Sequence, residues 1–218
     1  ANNLNFRKAM FYGYDRYAAT MTLDAYTYKE KCINTYSRPG LVQVNDVDYL
    51  MMSGLDEYST QENLFNADKA VEYKAKAMEE LTAKGVTFPV VVDYYIQGSS
   101  QTALDTANVL KQMFSDCLGD DFVTLNIKTY ISSVAKEVRN PQLASFYING
   151  WGADYADPQN YLGQETYGMD NAYYSVSYSK TAGITDENLI AVYEEFTNMV
   201  NAANAIVDDM DARYEAFA

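Results

Sequence analysis

No histidine occurs among the 218 residues. That removes the usual general base near neutral pH, the commonest zinc ligand and any Ser-His-Asp triad. Cysteine is scarce: Cys32 and Cys117 are the only two, too few for a disulfide framework. Two free thiols, at least one of them buried, is the plainer expectation, and a single bridge is the alternative. Basic residues are outnumbered 16 to 30, for a net charge of -14. Such a surface repels phosphates, so nucleic acid is not expected as a partner. No run approaches the ~20 apolar residues needed to span a bilayer. Neither an initiating methionine nor a signal-peptide pattern opens the chain, and its last residues still read as helix; both ends read as cuts inside a longer protein. The stretch "NDVDYL" suggests calcium, but it lacks the loop glycine and the terminal glutamate. No metal, cofactor or catalytic residue is expected.

What is present is a globular pattern, with 48% hydrophobic residues, enough to bury a substantial core. Leu4, Phe6, Met10, Phe11, Tyr14 and Tyr17 are spaced as one amphipathic helix. Residues 23–65 read as an irregular excursion broken by "SRPG" and "MSGLDE". Asn66 can cap a helix whose inner face carries Ala67, Val71, Ala75, Met78 and Leu81, with Gly85 as its stop. "VTFPVVVDYYI" reads as a strand buried on both faces. A second helix follows, with Ala103, Ala107, Leu110, Phe114 and Cys117 inward and Gly119 at its end. "FVTLNIKTY" alternates, Val123, Leu125 and Ile127 against Thr124, Asn126 and Lys128. A short polar helix, "SSVAKEVRN", leads to a third strand in "ASFYINGW". Strands linked through helices in this way lie parallel, with right-handed crossovers. The expected class is therefore α/β, a mixed, largely parallel central sheet with helices on both faces. A tyrosine-rich loop precedes two closing helices, striped by Leu189, Tyr193, Phe196 and Val200 and by Ile206, Met210, Tyr214 and Phe217. Most of the 21 tyrosines read as half-buried surface residues.

The stretch "NGWGADYADPQNYL", Asn149 to Leu162, holds the only tryptophan and two aspartates just past the third expected strand. Open α/β sheets bind ligands beyond the carboxyl ends of their strands. Gly150 and Gly152 suit a sharp turn or a close approach, and Trp151 supplies a flat wall. Asp157, before Pro158, fits an N-cap with proline opening the helix. Asp154 has no such local duty. It is either a turn residue bonding its own backbone or a carboxylate facing a cleft. Arg7 and Arg16 read as partners in structural ion pairs.

Three segments together resemble the second lobe of the dipeptide- and oligopeptide-binding proteins of ABC importers, solute-binding family 5. "FRKAMFYGYDRYA" is similar to a helix of that family. "NADKAVEYKAKAMEELTAKGVTFPVVVDYY" resembles the helix, glycine and strand that follow it. "NGWGADYADPQNYL" resembles its G-W-x-A-D-Y-x-D-P-x-N-(F/Y)-L segment nearly residue for residue. The likeness is weakest at 22–60 and 165–184. It implies a two-lobed, periplasmic-binding-protein-like fold that closes on its ligand as a trap, with residues 1–218 as one lobe cut at both ends and the first lobe absent. It implies a monomeric, extracytoplasmic protein, periplasmic or a cell-surface lipoprotein, which captures peptides and delivers them to membrane permease subunits without catalysis. Asp154 matches the aspartate that pairs with a ligand's α-amino group, and Trp151, Gly152, Ala153 and Tyr155 would line the site. Relatives binding oligosaccharides, metal chelates or haem supply an alternative ligand. A carboxylate-based glycosidase is the alternative activity, and it would need a second acid converging on Asp154.

Overall fold

A computed structural model describes residues 3–59, 61–147, 150–168 and 185–218. In chain order come helices α1 (Leu4–Gly13), α2 (Arg16–Met21) and α3 (Tyr28–Lys31), then strands β1 (Gln43–Val44) and β2 (Val47–Asp48). Helices α4 (Gln61–Leu64) and α5 (Ala67–Ala83), strand β3 (Val90–Gln97), helix α6 (Gln101–Leu118) and strand β4 (Val123–Tyr130) follow. Helices α7 (Gln159–Leu162), α8 (Glu187–Asn204) and α9 (Met210–Phe217) complete the order. The chain divides into two units, residues 1–34 with 59–147 and residues 35–58 with 148–218.

The first unit is the α/β part. Strands β3 and β4 are parallel, in register from Val90 beside Val123 to Gln97 beside Tyr130, with α6 as the crossover. Val92, Tyr94 and Ile96 share a core with Val123 and Leu125, and Ala107, Leu110, Phe114 and Leu118 of α6 pack into it. Ala9 of α1, Ala70 and Ala77 of α5, and Phe122 just before β4 complete that core. Each large side chain so buried contributes ~1.5–3 kcal/mol. The helices begin where the sequence predicts: Asn66 accepts the Lys69 N–H, and Ser100 accepts the Ala103 N–H. Gly119, at φ +81°, ends α6 in the left-handed region, as expected of a helix stop. Gly13 lets α1 approach α6 closely, since a Cβ there would lie 3.3 Å from Leu118.

Four expectations for this unit need correction. The single first helix is two, because Tyr14 is extended and Asp15 caps α2 by accepting the Ala18 N–H. An aspartate that can cap competes with continuing the helix it interrupts. Strand β3 is not buried on both faces: Val91 is exposed, and Asp93, on the same outward face, accepts from Asn126 and Lys128. Among the described residues the third strand is one parallel bridge, Phe146 beside Tyr94. The short polar helix is a single π turn, Ala135–Arg139. Its Glu137 carboxylate accepts the N–H groups of Ile131, Ser132 and Ser133, which hold its pKa down to about 2.

Arg16 is structural, but without an ion pair among the described residues. It donates to the carbonyls of Leu64, Phe11 and Tyr14 and lies over the rings of Phe11 and Tyr14. Arg7 is exposed and makes no ion pair among the described residues. Cys32 and Cys117 are both free; Cys32 is buried, and burial pushes the Cys117 thiol up.

In the second unit, β1 and β2 form a hairpin whose turn residues, Asn45 and Asp46, both have positive φ. Asp48 accepts the N–H groups of Gly40 and Leu50. The "NDVDYL" stretch is thus a turn and a cap. Leu41, Val42, Tyr49, Leu50, Tyr161, Val200, Ala203 and Phe217 form this unit's core. On α9 the expected inward Met210 is exposed, and Arg213 is buried with Phe217 instead. Most of the tyrosine-rich loop lies outside the described residues.

Candidate functional site

The stretch expected to carry function belongs to the second unit, and α7 organises it. Asp157 accepts the Gln159 N–H at 2.8 Å through its side chain and the Asn160 N–H at 3.0 Å through its carbonyl. Pro158 is fully buried at the helix entrance. Asp157 is therefore the cap that its place before Pro158 predicts.

The same carboxylate has a second partner that local sequence signals do not reveal. Arg213 of α9 reaches it with Nε to Oδ2 at 2.8 Å and Nη2 to Oδ1 at 3.2 Å. Such two-pronged pairing fixes direction as well as distance. Arg213 is only 7% exposed. Its Nη1 donates to the carbonyls of Ala203, Asn204 and Ile206 at the end of α8, and its Nη2 donates to Asn204 Oδ1. The guanidinium also lies over the Phe217 ring. One cation thus ties the starts of α7 and α9 to the end of α8.

Asn160, the second residue of α7, is likewise silent in the sequence. It is buried, and its Oδ1 accepts both the Trp151 indole N–H at 2.7 Å and the Asp154 backbone N–H at 3.0 Å. Trp151 and Ala153 pack in part against the core of this unit. Tyr155 is exposed and its hydroxyl donates to Gln159 Oε1. Among the described residues, a Cβ built at Gly150 or Gly152 would meet nothing within 4 Å, so neither glycine serves a close packing contact with them.

Asp154 is left as the contrast. Its residue is exposed, its backbone is pinned, and its carboxylate makes no hydrogen bond or ion pair among the described residues. A carboxylate in this state can accept a cation or an N–H donor without first breaking a protein contact. Asp157, three residues on, is already committed to Arg213 and cannot serve beside Asp154 as the second acid of a glycosidase pair. Among the described residues no cluster of acidic or cysteine side chains is arranged to hold a metal ion, and no helix is long and apolar enough to cross a membrane.

Oligopeptide-binding protein AliA of Streptococcus pneumoniae serotype 4 is 28% identical over 99% of this chain and 36% of its own length. The chain therefore spans about a third of that relative. A crystal structure described as the peptide-binding protein of a peptide ABC transporter superposes with a TM-score of 0.67 at 23% identity, covering 99% of this chain and 83% of that one. The substrate-binding domain of an oligopeptide ABC transporter from Bacillus anthracis str. Ames gives 0.72 at 19% identity, covering 98% and 36%. At these identities the two structures establish the periplasmic-binding-protein-like fold. The family description "Bacterial extracellular solute-binding proteins, family 5 Middle" matches residues 1–172, most of the chain, which therefore belongs to that family of binding proteins.

Proposed function

We propose that the protein is the substrate-binding component of an ABC importer, capturing di- or oligopeptides outside the membrane and passing them to the permease. On this reading residues 1–218 form its second lobe, and a first lobe supplies the rest of the pocket. Asp154 receives the α-ammonium group of the peptide. Gly152 and the backbone around Ala153 and Tyr155 lie along the ligand, and the Trp151 ring edge closes one side. The protein works as a monomer, in a periplasm or tethered at the cell surface, and performs no chemistry on its cargo.

The observation that carries the reading is the difference between two neighbouring carboxylates. Asp157 is consumed by Arg213 and a helix cap, whereas Asp154 is exposed and carries no partner among the described residues. An α-amino group, with a pKa near ~8, is mostly cationic at neutral pH. Lobe closure would remove water from the pair and strengthen a charge-assisted hydrogen bond. Main-chain donors and acceptors would hold the remainder of an extended peptide with little regard to side chains.

Calorimetric titration of the intact protein with a short peptide and its N-acetylated twin tests this. The free-amine peptide is expected to bind and the acetylated one to bind far more weakly. Asp154→Asn is expected to cost ~2–5 kcal/mol toward the free-amine peptide, mostly by stranding its ammonium. An unchanged dissociation constant would overturn the role of Asp154.

A further inference from the structure

We infer that Asn160 is the positioning residue that sets where Asp154 points, and through it the discrimination of a free amine from a blocked one. The inference rests on the role proposed above for Asp154. Asn160 also holds Trp151, but its effect on the choice between a free and a blocked amine runs through Asp154. Two hydrogen bonds converge on one oxygen: Oδ1 takes the Trp151 indole N–H at 2.7 Å and the Asp154 main-chain N–H at 3.0 Å. The first bond fixes the start of the loop and the second fixes the residue that carries the carboxylate.

Asn160 is itself held rigidly. Its side chain is buried, it sits in the first turn of α7, and its N–H is bonded to the Asp157 carbonyl. Asp157 in turn is gripped by Arg213. An exposed carboxylate is free to swing, so its reach toward an incoming ammonium depends on the backbone beneath it. Here that backbone is anchored at Asp154 itself. A preorganised acceptor loses less conformational freedom on binding. Removing the acceptor oxygen leaves the Trp151 and Asp154 N–H groups without their partner and lets the loop relax, which moves the carboxylate.

The test is a double-mutant cycle in the intact protein, titrated with a free-amine peptide and with its N-acetylated twin. Asn160→Leu removes the oxygen at similar volume; Asn160→Ala is the second removal variant, and melting temperatures select whichever folds. Asn160→Asp keeps the acceptor. The removal variant is expected to weaken free-amine binding about ten- to hundredfold, the size usual for residues that orient a binding group. It should leave the weak binding of the acetylated peptide nearly unchanged and add no further loss on an Asp154→Asn background, while Asn160→Asp recovers most of the affinity. Equal weakening of both peptides, or the same loss on the Asp154→Asn background, would make Asn160 a residue of general stability and overturn the inference. If Asp154→Asn alone changes nothing, the reading of the site fails, and this inference with it.

Discussion

The two units of the chain are held together by different physics. In the first, the core is apolar, drawn from α1, α5, α6, β3 and β4, and each ion pair among the described residues keeps one partner exposed: Lys31 with Asp24, Lys76 with Glu72, Lys128 with Asp93 and Lys74 with Asp121. In the second, a smaller apolar core is accompanied by buried polar side chains at Ser37, Asn160, Glu165 and Arg213, where the first has only Thr106 among the described residues. Short helices such as α7 cannot hold themselves in water. They need outside partners, and here the partners are hydrogen bonds to buried side chains. The same construction pins the Asp154 backbone and leaves its carboxylate outside the network. The comparison teaches that the candidate site sits where polar groups, and not apolar area, decide the backbone path.

Arg213→Met should give the largest effect on stability. It leaves the Asp157 carboxylate half-buried without its cation and strips donors from three carbonyls at the end of α8. Breaking a buried pair from one side typically costs ~3–5 kcal/mol. Adding Asp157→Asn removes the stranded charge, so the double variant should be less destabilised than the sum of the singles. Denaturant melts of the four proteins check this. A loss under ~1 kcal/mol for Arg213→Met would mean that the second unit rests on its apolar core, as the first does, and the contrast would collapse.

What was legible in the sequence follows the same division. Helix α6 and strand β4 could be read because their apolar residues recur with the helical or strand period, and α5 because Asn66 and Gly85 mark its ends; its inner face was misassigned, since Ala67, Val71 and Ala75 are exposed and Ala70 and Ala77 are buried. The Asp157 cap was legible because an aspartate before a proline is a local signal. Arg213 was not, since it reads as an ordinary exposed position in "MDARYEAF" and its carboxylate partner lies 56 residues away. Asn160 was missed for the same reason: its use depends on which donors the loop brings to it. The apolar run "ASFYI" misled in the other direction. Its composition suits a strand, yet among the described residues only Phe146 pairs. Composition sets the propensity for pairing, and tertiary context decides how much of it is used.

Acid sharpens the comparison within the first unit. Glu137 accepts three backbone N–H groups and the Ser132 hydroxyl, which hold its pKa at about 2, against an ordinary 4.5. A carboxyl depressed on folding stabilises the folded state fully above its unfolded pKa. That contribution is lost as pH falls from about 4.5 to about 2. Glu137→Gln should therefore be the less stable protein at neutral pH, and the gap should close as pH approaches 2. Thermal melts across that window measure it. Parallel curves for the two proteins would mean that the bonds to Ile131, Ser132 and Ser133 do not depend on charge.

The smallest effect is expected at Lys128, and it is the control for the whole contrast. Its ammonium lies 2.7 Å from Asp93 Oδ2 and over the Tyr95 ring, on the outward face of the sheet. The pair has good geometry and holds the Asp93 carboxyl below the usual carboxylate range, helped by Asn126. Yet the Lys128 side chain is 43% exposed, so water and salt screen the attraction, and ordering a long side chain offsets part of what is left. Exposed pairs of this kind contribute little to stability. Lys128→Met should change stability far less than Arg213→Met, and the change should shrink further in high salt, because Asn126 still satisfies one Asp93 oxygen and the apolar core beneath is untouched. The short distance at Lys128 and the short distance at Arg213 would then carry very different energies, separated by burial and by what is stranded when the cation goes. A loss at Lys128 as large as that at Arg213 would place a structural ion pair in the α/β unit as well, and remove the reason for treating the two units differently.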